Sequence, residues 1–186
     1  MNFISKNLKK SRYFNLTLIV IAFVLCVYCM IGGISHWFIY ITTICGCVGL
    51  VSAFIYAVHG YKKESAMNYK VFMLFTFVTF FLDACGEFMY FDDPTFNWSM
   101  VSTYANFARV IPMFLLTFIL NFGEKRSKIC SYIVFALSLF IFVRTCIIYS
   151  SNLSYVTLTF VNIVNSSVAV ILVNAKYADK TSRGTK

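Results

Sequence analysis

Between Leu82 and Pro112 the sequence sets two acids, Asp83 and Glu87, and one guanidinium, Arg109, into runs that are otherwise apolar. Asp83 and Glu87 stand four apart, so on a helix they lie within about 6 Å of each other on one face. Carboxylates at that spacing could act as general acid and base, carry a proton, or receive the cationic end of a solute. Arg109 could neutralise them or take the anionic end of that solute. A second guanidinium, Arg144, stands in a later apolar run. It either joins the acids or snorkels to lipid headgroups along its aliphatic stem. Asn106, Asn162 and Asn165 add amide donors and acceptors, and these seven residues make up the candidate ligand-binding set.

Other chemistries lack parts. The sequence has no H-E-x-x-H and no G-x-S-x-G, and no histidine within an apolar run beside a Cys or Ser, so zinc and nucleophilic mechanisms are unsupported. His36 and His59 flank one apolar run, about 34 Å apart at 1.5 Å per residue, and read as interfacial side chains. Cys26-Val-Tyr-Cys29 and Cys45-Gly-Cys47 together spell a conceivable four-thiolate site. With no βαβ context and no nearby His, the cysteines read as small apolar packing residues, and neither a metal nor a cofactor is expected.

The elements that must hold these groups follow from composition. The 186 residues are 60% hydrophobic and 12% charged, with a mean hydropathy of +0.77. That is too apolar for a water-soluble domain, and the length suits about six spans of roughly 20 residues. The expected fold is an all-α polytopic membrane bundle of six transmembrane helices, near 14–34, 37–58, 69–91, 99–122, 129–149 and 155–176. They form three consecutive hairpins, Phe14 to Tyr61, Tyr69 to Gly123 and Ile129 to Ala178. Residues 1–13 read as a basic arm, 14–176 as the transmembrane domain and 177–186 as a basic, mobile tail. Alternation of polar and apolar residues, as in a membrane β-barrel, is absent.

The net charge of +9 is explained by where the cations lie. Fourteen of 16 Lys and Arg fall in four clusters: Lys6 to Arg12, Lys62 to Lys70, Lys125 to Lys128, and Lys176 to Lys186. Threading the six spans brings all four clusters to one side, which the positive-inside rule makes cytoplasmic, with both termini there. Offset by Glu64, Glu124 and Asp179, that side carries +11; Asp92 and Asp93 give the outer side −2, and the four intrahelical charges cancel. Basicity therefore reports topology and contact with anionic lipid in a plasma-type membrane, and nucleic acid is not an expected partner.

Two helix faces stand out. Thr76, Thr79, Asp83, Glu87 and Tyr90 step by three and four along the third helix, and Ser102, Asn106 and Arg109 do the same on the fourth. A carboxylate near the bilayer centre costs about 2.5 to 3.5 kcal/mol on insertion scales, so both faces should turn toward the bundle interior. Pro112 should kink the fourth helix and free carbonyls near position 108. On the second helix Cys45, Gly49, Ala53 and Ala57 form a ladder of small side chains, a packing seam that could receive another membrane protein. Asn97-Trp-Ser99 and Asn152-Leu-Ser154 match the glycosylation spelling, which chance meets easily.

Three functions are consistent with these residues. One is binding or transport of a small polar or zwitterionic solute from the outer face. The second is an accessory or assembly subunit without ligand, working through the small-residue ladder. The third is an intramembrane lipid-acting enzyme using Asp83 and Glu87. In length and six-helix layout the chain resembles the substrate-binding components of energy-coupling vitamin transporters. It departs from their first-helix A-x-x-x-A spacing, because Cys26 follows Ala22 four places on, and is assigned to no family on that layout.

Overall fold

A computed structural model describes residues 2–31, 37–62, 65–89, 96–119, 123–148 and 153–183. They form six helices: α1 (Asn2–Ile31), α2 (Trp37–Val58), α3 (Ala66–Met89), α4 (Phe96–Phe118), α5 (Glu124–Ile148) and α6 (Leu153–Arg183). Four of them contain stretches long and apolar enough to cross a membrane: Tyr40–Val58, Ala66–Gly86, Glu124–Ile148 and Tyr155–Tyr177. Within α1 the apolar stretch is shorter, Arg12–Tyr28. The outward faces carry Val20, Val24, Ile44, Val51, Phe114 and Val143, a surface suited to acyl chains rather than water.

Each helix packs on its neighbour in the chain, and α6 returns to α1, so the six close into a ring. α6 also touches α2 and α3 and is the most enclosed of the four apolar stretches. Its Val164, Val168, Leu172 and Val173 meet Leu50, Phe72, Met73, Met113 and Val134 in one apolar core. This core lies toward the end where α2 stops and α3 starts. Farther from that end the interior becomes polar, with Thr79, Asn106, Arg109, Ser138, Asn162, Asn165 and Ser166 all buried.

Several boundaries differ from the sequence reading. α1 is helical from Asn2, so the helix takes in Lys6 to Arg12, which holds good helix formers and neither Gly nor Pro. α6 likewise runs on to Arg183, past the span end expected near 176. α5 begins at Glu124, not in a loop up to Lys128, and its first turn carries a Glu124–Lys128 ion pair at 2.7 Å. Pro112 is accommodated within α4, which continues to Phe118. The turns at 32–36 and 91–95 lie outside the described residues, as do residues 150–152 and the side chain of Glu87.

The α2–α3 corner shows how a helix end is fixed. The Gly60 N–H donates to the Ala57 carbonyl at 3.0 Å and that of Tyr61 to the Tyr56 carbonyl at 3.1 Å, the paired bonds of a Schellman cap. Gly60 takes φ +68°, as such a cap requires, and Tyr61 is also left-handed at φ 61°. For a tyrosine this conformation is uncommon, and its ring contacts hold it there. It packs edge-on against Tyr56 at 5.4 Å, and its hydroxyl accepts from Asn15 Nδ2 at 3.3 Å. Arg12 Nη2 donates to the Val58 carbonyl at 2.6 Å, tying α1 to the end of α2.

The small-residue ladder on α2 is spent inside the chain. Ala53 and Ala57 are fully buried, and a Cβ on Gly49 would stand 3.3 Å from Phe75 Cβ and 3.8 Å from the Phe72 carbonyl oxygen. α3 therefore covers this face. Close approach of two backbones is what the ladder provides, and along Gly49, Ala53 and Ala57 the neighbour is α3.

Candidate binding site within the bundle

Arg109 is the centre of the polar layer. It is 0% exposed and sits near the middle of α4. Its Nη2 lies 3.4 Å from Asp83 Oδ2 and donates to Asn106 Oδ1 at 2.5 Å, while Nη1 reaches Ser138 Oγ at 3.5 Å. The guanidinium carbon stands 4.0 Å from the centroid of the Phe80 ring, a cation–π contact in a desolvated setting. Helical side chains lean toward their own N-terminus. Because α3 and α4 run in opposite directions, Arg109 and Asp83 lean toward each other.

Asp83 joins three helices. The same Oδ2 that faces Arg109 accepts from Asn162 Nδ2 on α6 at 2.6 Å. Its side chain keeps 13% of its surface accessible, so the carboxylate lies at the edge of the network. Asn162 is 4% exposed, and its Oδ1 is buried with no donor among the described residues. The amide assignment is fixed by chemistry, because a carboxylate oxygen can only be met by the NH₂ side.

Of the seven sequence-predicted residues, Asp83, Asn106, Arg109 and Asn162 are brought into one hydrogen-bonded group. Asn165 is buried one position from Ser166 but turns toward α2, its Nδ2 lying 3.9 Å from where a Cβ on Gly46 would be. Arg144 is 7% exposed, with its Nε buried. Glu87 lies on α3 one turn beyond Asp83, with its side chain outside the described residues. Among the described residues no group of three or more His, Cys, Asp and Glu could hold a metal ion.

Ser166 shares a face with Asn162 by its spacing of four, but sequence reasoning missed its partner Ser138. Ser138 Oγ lies 2.6 Å from Ser166 Oγ, and Ser166 Oγ donates to the Asn162 carbonyl at 2.8 Å. The chain from Arg109 through Ser138 and Ser166 thus returns to Asn162. A signal was present: Ser131, Ser138 and Thr145 recur every seven residues on α5, and all three are fully or almost fully buried. That repeat marks the inward stripe of a helix in a bundle.

Comparison of the chain with protein-family models, with curated proteins and with solved structures finds no match. The reading of this site therefore rests on its own geometry. Chemically it offers a carboxylate at the edge of a buried network, an orphaned amide oxygen beside it, and a guanidinium whose faces and nitrogens are enclosed by protein.

Proposed function

We propose that the chain is a multi-pass protein of the cell membrane in which all six helices span the bilayer with both termini cytoplasmic. Its polar layer receives a small polar or zwitterionic solute from the outer side. The clustering of Lys and Arg at one end of the helices supports this orientation. At 23 and 30 residues, α4 and α1 are also long enough, since about 20 residues at 1.5 Å each span the hydrocarbon core.

One observation carries the solute reading: Asn162 Oδ1 is buried beside Asp83 and lacks a donor. A buried acceptor left unmet costs about 1–3 kcal/mol, and a hydroxyl or N–H group of a guest would relieve that cost. Asp83, Glu87, Arg109 and Arg144 sum to zero charge, so a guest without net charge suits the site best. In this reading Arg109 positions Asp83 and Asn162 rather than gripping the solute.

Native mass spectrometry of gently purified protein tests the proposal. The expected result is a retained small polar molecule, lost in Asn162→Leu while the variant stays folded. Protein that carries only lipid, or a protein partner, overturns it. The second reading, an accessory subunit without ligand, is favoured by the full enclosure of Arg109, which is how a register-fixing ion pair would be built; retention of a protein partner alone would support it.

A further inference from the structure

Cys26 and Cys47 stand on neighbouring helices of the ring and share a side-chain hydrogen bond. Cys26 Sγ also lies 4.0 Å from where a Cβ on Gly46, the residue before Cys47, would be, so two observations put the α1 thiol against this stretch of α2. Cys26 is 1% exposed, and Cys47 is partly exposed. Around them Phe23 and Val24 on α1, and Ile44, Val48 and Val51 on α2, face outward. Cys26 thus points inward from α1, while Cys47 stands at the partly exposed edge of the α1–α2 seam, flanked along α2 by outward aliphatic side chains.

We propose that Cys26 and Cys47 form an oxidisable thiol pair, converted by an organic hydroperoxide dissolved in the hydrocarbon into an intrachain disulfide that joins α1 to α2. Cys47, the more accessible thiol, attacks the peroxide. Its sulfur takes the terminal hydroxyl oxygen, the O–O bond breaks, and the alcohol leaves with the thiol proton, giving a sulfenic acid on Cys47. Cys26 sulfur then attacks Cys47 sulfur, the S–O bond breaks, and water leaves with the Cys26 proton. In sum two thiols and one hydroperoxide become one disulfide, one alcohol and one water; sulfur is oxidised and the peroxide oxygen reduced. An apolar oxidant is favoured because the exposed side chains near Cys47 along α2, Ile44, Val48 and Val51, are aliphatic.

The test uses the full chain in phosphatidylcholine vesicles, treated with cumene hydroperoxide or with hydrogen peroxide. Free thiols are then blocked with N-ethylmaleimide, and the peptides are mapped by mass spectrometry without reduction. The expected product is a Cys26–Cys47 linked peptide, formed faster with cumene hydroperoxide, in protein that has lost two hydrogen atoms. Cys26→Ser and Cys47→Ser should each remove the link, and Cys45→Ser should keep it. Separate alkylation of Cys26 and Cys47 with no link, or a link from either to Cys29 or Cys45, overturns the proposal. A faster reaction with hydrogen peroxide overturns the approach from the hydrocarbon. The wild-type map needs no substitution, so a variant that fails to fold leaves the test standing.

Discussion

Asn162 Nδ2 on α6 donates to Asp83 Oδ2 on α3 at 2.6 Å, across 79 positions of sequence. Arg109 approaches the same oxygen at 3.4 Å, so one carboxylate atom holds α3, α4 and α6 together. In water such a bond would be worth little, but inside an apolar bundle it is maintained because every alternative leaves an ion without a partner.

That dependence is measurable by a double-mutant cycle. Asp83→Leu removes the carboxylate and leaves the buried Arg109 charge uncompensated, which should destabilise the fold by about 3–5 kcal/mol. Arg109→Leu should also destabilise it. Because the double variant removes both charges, it should be more stable than the sum of the two losses predicts. Thermal or denaturant unfolding in one detergent reads all four proteins; strictly additive losses would show that the two side chains do not depend on each other.

Gly46 and Gly49, three apart on α2, should respond in opposite directions. A Cβ on Gly46 would meet its nearest neighbours at 3.9–4.0 Å, ordinary contact. Gly46→Ala should therefore stabilise, with an upper bound of about 1 kcal/mol from helix propensity. At Gly49 the Cβ would meet Phe75 Cβ at 3.3 Å, so Gly49→Ala requires α3 to give way, and Gly49→Leu would force the α2–α3 seam apart by several kcal/mol. Melting temperatures of the three variants check the order; equal behaviour at the two glycines would contradict the packing described.

The corner at Tyr61 predicts a pH effect. Burial pushes the Tyr61 phenol above its ordinary value, opposed by the hydrogen bond from Asn15 and by the nearby Arg12 charge. A group whose pKa is raised on folding contributes stability that is complete below the unfolded value, about 10 for tyrosine, and is lost as pH rises through the folded value. Stability should thus fall as pH is raised beyond about 10. Tyr61→Phe, which cannot ionise, should show a shallower fall. Equal slopes for the two proteins would remove Tyr61 from the account.

Much of this was legible from residue types. α2 was placed at Trp37–Val58 because a Gly-Gly turn precedes it and His59-Gly60 follows. The meeting of Asp83 with Arg109 followed from the intolerance of hydrocarbon for lone ions. What was not legible depended on rotation of one helix against another. The thiol pair at Cys26 and Cys47 requires the register of α1 on α2, and nothing in either helix alone specifies it. Ser138 was passed over because a single serine in an apolar helix usually bonds to its own backbone; only its repeat at intervals of seven set it apart. The ladder around Gly49 is legible as a seam, but its occupant is not, since spacing reveals that two backbones can approach and not whose they are.

Ring closure has a consequence for biogenesis. Every wall of the bundle but one is made by helices consecutive in the chain, so hairpins can be zipped in the order in which they leave the ribosome. The exception is the contact of α6 with α1, which has to wait for the last helix to emerge. Asn162, Asn165 and Ser166 all arrive on that last helix, so until then Asp83 has Arg109 beside it but lacks its donor from Asn162. A nascent chain halted before Leu153 would therefore hold the ion pair while its ring stays open between α1 and α5.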